Sequence, residues 1–572
     1  MVSEDNYWKR RLRDGRFTRR TFVGGAAAAG LGAASLGLVG CGSSSNNNKT
    51  PTGGKSATPG GSASAAASAG PSETPKAGGS YTEALTGVFA GVDPSTSVYG
   101  GSYIVPEVYS YLIRDEIAIH PQKGIIDDLA ESHKVEADGV TWTFKLRPNV
   151  MIAANTRGVP VRALDSSDAK ANWEKMADPQ VGANAYAFAN RWVDKYVTPD
   201  AQTFQMVMKD TFAWTEAYVG NNLLGPIAPK EWLENKDVKT AAVGSGPFML
   251  TELVEGDHAT MVKNPTYYKK ARPYLDKIVI RLFSDQATYR TAFTAGQVDS
   301  YAATNQDEAK QIKNNQGNTQ YFHSKSTGYD SFWMSVKSAP WSDPRVRRAV
   351  NLATNRSEYI SLIGHEAGEP IGVLSYVFGP EYSLLGDDLK KVQPYDVGEA
   401  KKLFSAAGVK EFDFSYPTTS NVTDYVNIFV KQMGQAGVTA KGQPLQAGAW
   451  LAAYYTNKLT ASLTLNQEYQ TPNDALQFYH TGGITGNNHY DTGFSDPDVD
   501  KAIDGAATTM DEGQRKQKYI ETQKLIFSKD PAFINFFGLY SDVLVAPAIK
   551  DYPAGLGSLG FAYQEDMWTT KA

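Results

Sequence analysis

The chain holds one cysteine, Cys41, and it closes an apolar N-terminal run instead of sitting inside the body of the sequence. No disulfide and no cysteine-based metal site can staple the body beyond it. That long remainder must be held by non-covalent means, chiefly buried apolar area and hydrogen bonds. At 572 residues it is long enough for two or more domains with sizeable cores.

Residues 1–41 read as an address. Arg19 and Arg20 are preceded by Thr18 and followed by Thr21-Phe22-Val23, which resembles a twin-arginine export signal. The apolar run behind them is diluted by Gly24, Gly25, Gly30, Gly32 and Gly37. Glycine buries little apolar area, so the run makes a poor permanent membrane span. Leu38-Val39-Gly40-Cys41 resembles a bacterial lipobox. That implies cleavage before Cys41 and lipid on its sulfur and new amino group, which anchors the chain through buried acyl CH2 groups. Residues 42–79 are Gly, Ser, Ala, Thr, Pro and Asn with almost no large apolar side chain. They cannot offset chain entropy by burial, and a flexible tether is expected. Gly53-Gly54-Lys55-Ser56 lacks the leading glycine, strand and helix of a phosphate-binding loop.

Beyond residue 79 the composition is that of a globular protein. Net charge is -5, which excludes a nucleic-acid-binding surface as the organising feature. The 31 tyrosines and 10 tryptophans suit a ligand cleft as well as a core, because they give large contact area with few rotors. Tyr81–Leu85 is expected as a first strand and Val105–Ile113 as a helix. Strands are expected near His133–Glu136 and at Thr141–Leu146, joined by a turn at Ala137-Asp138-Gly139. Asp165 should cap a helix running to Lys175. Ile278, Ile280 and Leu282 alternate as in a strand, and Asp285–Phe293 reads as a helix closed by Gly296. Asp343-Pro344 opens another helix, and Asp396 with Glu399 forms a capping-box pattern. Phe412–Tyr416 is a strand, Asp496-Pro497 starts a helix, and Glu512–Ser528 is a long amphipathic one. Phe533–Phe537 and Val543–Val545 read as two late strands. Strands and helices mix throughout, so the class is α/β or α+β.

Several stretches together resemble one family. They are Ile125–Ser132, Thr141–Arg147, Gly244–Phe248, Asn264-Pro265, Pro273–Lys277, Asp343–Val350, Tyr395–Ala406 and Phe494–Asp500. In that order they are similar to the extracellular solute-binding proteins of ABC importers, peptide/nickel-binding family 5. The resemblance implies an α/β, two-lobed periplasmic-binding-protein-like fold of type II. It belongs to the large cluster with an extra domain, and the cleft lies between the lobes. Lobe I is expected at 80–106, 243–326 and 536–572, the extra domain at 107–242, and lobe II at 327–535. The implied function is capture of a peptide or similar small solute by hinge closure, then delivery to ABC permease subunits. The tether and lipid would hold the protein, as a monomer on the outer face of the cell membrane, within reach of its permease.

The same resemblance marks ligand candidates. Dipeptide binders of the family use an Asp from lobe II to pair the ligand's amino group, and the matching position here is Glu468. It is either a ligand contact with longer reach or a solvated loop carboxylate. Asn466 and Tyr469 are its companions, and the family's Trp in this stretch is Leu465. Tyr329 and Trp333 sit near an expected interlobe crossing. Trp450 and Tyr454, at i and i+4 on a helix, are either cleft-facing or ordinary core. Tyr99-Gly100-Gly101-Ser102 offers a loop whose backbone can approach a ligand, with Tyr99 and Ser102 as contacts. Neither peptide, oligosaccharide, metal chelate nor a sensor role is singled out by the sequence.

An exported hydrolase is the competing class. The chain has no HExxH helix and no G-x-S-x-G elbow. Its seven histidines are scattered without metal-helix spacing, although His480 and His489 flank a Gly-rich loop. Gly555–Gly560 matches G-x-G-x-x-G without the helix or ribose acid a dinucleotide site needs. No nucleophile, base and orienter can be named, so no enzyme, cofactor or metal is expected.

Two substitutions test the address. Cys41→Ser should abolish lipidation and release the protein from the membrane fraction; full retention contradicts the lipobox. Arg19→Lys with Arg20→Lys should block export, whereas unchanged export points to the general secretory route.

Overall fold

Alternating burial along short strands organises the body into three larger sheets. The computed structural model describes residues 74–571 except 88, 90, 98–99, 117–123, 364–367, 419–421, 468–470, 482–490 and 555–562. The expected export signal, Cys41 and most of the expected tether therefore lie outside the described residues, as do His489 and Gly555–Gly560. Among the described residues, no helix is long and apolar enough to cross a membrane.

The first strand is β1 (Ser80–Thr86). Four strands follow in the next stretch: β2 (Ala130–Val135), β3 (Thr141–Leu146), β4 (Val193–Asp200) and β5 (Thr203–Met208). They form an antiparallel sheet in the order β2-β3-β5-β4. Gly139, at φ +76°, makes the turn between β2 and β3. Trp142, Phe144 and Leu146 are buried as their alternation predicts. The helix Ser166–Ala177 starts at Asp165 with a full capping box to Asp168.

The next three strands are β6 (Phe248–Val254), β7 (His258–Lys263) and β8 (Lys277–Phe283). With β1 they make a second sheet, β1-β8-β7-β6, in which β1 runs parallel to β8. The third of the larger sheets holds β9 (Ser300–Ala302), β10 (Gln320–Met334), β11 (Glu411–Pro417), β12 (Thr439–Leu445), β13 (Ala461–Gln467) and β14 (Phe533–Val545). They order as β9-β14-β10-β13-β11-β12, and the short strand Glu369–Pro370 adds to β14. One face of this sheet sends Phe332, Met334, Leu463 and Ile534 into a core with the helices Pro344–Ala353 and Val422–Gln435. The other face carries Tyr329 and Trp333 into a larger core shared with the first two sheets.

Three local expectations change. Only Val105–Val108 of the expected helix Val105–Ile113 is helical. Ser110–Tyr111 and Ile113–Asp115 pair instead with Pro226–Ile227 and Ile125–Asp127. Val105 to Ile113 is buried throughout, and a run buried on all sides has no informative period. The two late strands are one, β14, because Gly538 and the polar residues after it mark a change of surroundings and not a turn. At Asp396 half the capping box forms: its carboxylate accepts from Glu399 N, while its own N–H goes to Leu352 O at 2.9 Å.

A buried ion network ties the C-terminal segment to the early part of the body. Arg114 reaches Glu565 at 2.6 Å and Glu116 at 3.1 Å, and Lys269 reaches Asp128 at 2.8 Å and Glu565 at 2.9 Å. Tyr267 and Tyr268 donate to Glu565 and Asp128 respectively. Burial alone would raise the Glu565 carboxyl; Arg114 and Lys269 outweigh it and hold it well below the usual range. Asp128 is thus structural, held by Lys269 and Tyr268.

Asp127 has its own partner. His133 Nδ1 lies 2.6 Å from Asp127 and Nε2 lies 3.0 Å from Glu216. Burial would lower the imidazole, but the two carboxylates raise it to about 9. The folded value exceeds the unfolded one, so the charged form's contribution is complete below pH ~6.5 and is lost as pH rises through about 9. Thermal unfolding should show the midpoint falling between pH 7 and 10, by an amount worth roughly 2 kcal/mol. His133→Gln should lose that pH dependence; an unchanged profile in the variant contradicts the clamp.

Candidate functional site

Two strands carry the chain through the middle of the largest sheet, and their pairing is interrupted at one level. From Gln320↔Val545 to Lys325↔Tyr540 the ladder between β10 and β14 is regular. From Lys325 to Tyr329, β10 advances four residues while β14 advances two, from Tyr540 to Gly538. From Tyr329 to Ser331, β10 advances two while β14 advances three, from Gly538 to Asn535. On the other side β13 also advances three there, from Gln467 to Thr464. Bulges bend strands and re-aim side chains, and they loosen the ladder where they occur.

Gly538 sits at this level for a steric reason. A Cβ on it would lie 2.0 Å from Tyr376 Cε1. The missing side chain lets Tyr376 lie over the strand and donate its hydroxyl to Leu539 O at 2.7 Å. Tyr376 continues into an aromatic ladder, with Tyr540 at 5.9 Å and then His323 at 4.4 Å from Tyr540. The Lys325 ammonium rests 4.7 Å over the Tyr376 ring. Sequence reading missed Gly538, Tyr376 and Tyr540. The one available signal was a glycine inside an otherwise apolar strand run.

Of the sequence candidates, Tyr329, Trp333 and Trp450 fall on one side of this sheet. Trp450 and Tyr454 stack at 4.9 Å on the helix Ala447–Tyr455, and Tyr454 meets Trp333 at 5.8 Å. Trp450 Nε1 donates to Ser462 Oγ at 2.8 Å, which docks the helix on β13. All four aromatics are buried. Asn466 lies near the end of β13, next to Gln467, which pairs with Tyr329. Ser102 is on a different element, the single turn Gly100–Tyr103. Tyr99, Glu468 and Tyr469 lie outside the described residues.

A second contact zone joins residues 191–218 to the helices Pro472–Gln477, Pro497–Ala507 and Glu512–Ser528. Trp214 Nε1 donates to Tyr519 OH at 2.8 Å, and Asn473 Nδ2 donates to Tyr218 OH at 3.0 Å. Ala213 N donates to Ala507 O at 3.0 Å. Arg191 donates to Gln477 Oε1 at 2.9 Å and pairs with Asp504. His480 belongs to this polar group, within 3.4 Å of Asp504.

Two sheet-bearing bodies joined by paired crossing strands define a two-lobed periplasmic binding protein. The periplasmic binding protein DppA of Helicobacter pylori, solved with the peptide STSA, superposes with a TM-score of 0.77 at 18% identity, covering 87% of this chain and 99% of that one. The model for bacterial extracellular solute-binding proteins, family 5, middle region, matches residues 124–489, and the chain belongs to this family. It is 24% identical over 445 residues to the dipeptide-binding protein DppE of Bacillus subtilis, covering 72% of this chain and 78% of that one. The glutathione-binding protein GsiB of Pectobacterium atrosepticum is 24% identical over 437 residues, 71% of this chain and 79% of that one. Proteins of this family bind solutes outside the cell.

Gly538→Ala tests the close approach at the crossing. The added methyl should displace Tyr376 and cost about 1–3 kcal/mol, read as a lower unfolding midpoint. Tyr376→Leu in the same chain should recover part of the loss. A midpoint equal to the parent's in Gly538→Ala contradicts the packing described.

Proposed function

We propose that this chain is the solute-capturing component of an ABC importer and that it takes a peptide or similar small solute. In this reading lobe I comprises 80–106, 243–326 and 536–572 with the extra domain 107–242, and lobe II comprises 327–535. The observation that carries the reading is the coincidence of the β10–β14 bulges with the expected crossings near 326 and 535. A loosened two-strand connection can bend while each lobe stays rigid. The contacts of Trp214 and Arg191 with Tyr519 and Asp504 would then join the extra domain to lobe II in the closed form.

Further support comes from relatives. DppE is named for dipeptides and GsiB for glutathione, and the H. pylori protein was solved with a four-residue peptide. The motif ending at Cys41 supports an exported, lipid-anchored monomer whose tether keeps it close to the permease. Glu468, with Asn466 and Tyr469, is the proposed partner of a ligand ammonium, and Tyr99 and Ser102 are the contacts proposed from lobe I. Proteins of this family are binding proteins, and binding without catalysis is proposed for this chain.

Mass spectrometry of small molecules released from the purified protein tests the substrate class, supported by thermal-shift screening of peptides. Bound peptides, and a higher melting temperature on adding them, are the expected results. An oligosaccharide or metal chelate in their place contradicts the peptide assignment. Glu468→Gln should weaken binding of an identified peptide by about 1.5–3 kcal/mol in calorimetry, and unaltered affinity removes Glu468 from the site.

A further inference from the structure

Three buried side-chain oxygens at the crossing have no hydrogen-bond partner among the described residues: Ser331 Oγ, Thr464 Oγ1 and Asn535 Oδ1. They belong to three adjacent strands. Ser331 on β10 faces Thr464 on β13 and Asn535 on β14. Directly opposed residues put their side chains on the same face. The three therefore form one polar row across the sheet, each residue no more than 2% exposed. Asn535 uses its Nδ2 on Gly372 O at 2.6 Å, which leaves only its carbonyl oxygen unmet.

The hydroxyl of the neighbouring row shows what a satisfied one looks like. There Trp333 faces Ser462 and Phe533. Ser462 Oγ accepts from the Trp450 indole and donates to a backbone carbonyl, at 2.8 Å in each case. One row on, toward the bulges, three oxygens in succession go unmatched. Native folds keep few such groups, because each forfeits its hydration without compensation. Their position beside a loosened part of the sheet gives them a natural partner, the molecule that enters when the lobes part.

The chemistry of that partner is set by the row. Two hydroxyls can donate or accept, and one amide oxygen accepts. Neither this row nor the next contains an acid or a base. The buried Arg356 guanidinium reaches Asn535 O at 2.8 Å but is shared with Thr354 O and Asn351 Oδ1, so an ionised group placed in the row would lose its water with little counter-charge gained. We infer that Thr464, Ser331 and Asn535 form a polar subsite of the cleft for an uncharged side-chain hydroxyl or amide of the captured solute, beside the Trp333–Tyr454–Trp450 aromatics. The inference rests on the solute-capture reading and adds a neutral-polar selectivity to it.

The peptides Ser-Thr-Ser-Ala and Ala-Ala-Ala-Ala are the probes, with affinities from calorimetry and melting temperatures from the full chain. The parent protein should prefer the hydroxylated peptide by about tenfold. Thr464→Val keeps the side chain's shape and removes one hydroxyl, and Ser331→Ala removes the other. Each variant should melt at or above the parent when empty, and each should lose the tenfold preference while still binding Ala-Ala-Ala-Ala. Equal affinity of the parent for both peptides overturns the subsite and leaves peptide capture standing. Retained preference in both variants, or lowered stability with unchanged binding, also overturns it by marking the hydroxyls as structural. If neither peptide binds the parent, peptide capture fails and the subsite fails with it.

Discussion

The architecture depends on one pair of antiparallel strands, β10 and β14, which must serve two bodies at once. The first half of β10 pairs with the second half of β14 beside β9, and the second half of β10 pairs with the first half of β14 in the part of the sheet that holds β11 to β13. Ladder hydrogen bonds make such a ribbon stiff, so a regular one would lock the bodies together. The bulges around Tyr329 and Gly538 relieve that stiffness at a single level. Gly538 is the steric condition for it, because no side chain fits beneath Tyr376. In the proposed capture of solute, this local backbone irregularity would be the place where the lobes bend.

Rigidity elsewhere complements that bend. The network of Arg114, Lys269, Asp128 and Glu565 is buried, and its charges are compensated by close partners and tyrosine hydroxyls. Removing one member of such a network leaves an uncompensated buried charge, which is far costlier than losing a surface pair. It binds the returning C-terminal segment to the early part of the body. The exposed ion pairs, such as Lys390 with Asp387, contribute little by comparison.

Much of this was readable from residues. Caps at Asp165, Asp285, Asp343, Asp396 and Asp496 carry local chemistry, and each helix begins where its cap stands. The strands at Thr141–Leu146 and Lys277–Phe283 show themselves by alternation because one face of each is partly wetted. Val105–Ile113 defeated the same reasoning because burial on every side erases the period. Motif order along the chain pointed to the family, which the match over residues 124–489 shows. Tyr329 and Trp333 were legible as residues near an expected crossing, but the strand geometry around them was not. Bulges, the Gly538–Tyr376 contact and the Thr464–Ser331–Asn535 row arise from pairing between segments far apart in sequence, which no local pattern encodes.

If solute draws the lobes together about the β10–β14 bulges, binding must make the molecule more compact. Small-angle X-ray scattering of the purified chain, with and without a saturating peptide identified from the protein itself, measures this directly. Hinge closure predicts a smaller radius of gyration in the presence of peptide. A radius unchanged by a peptide shown to be bound in the same sample would contradict it.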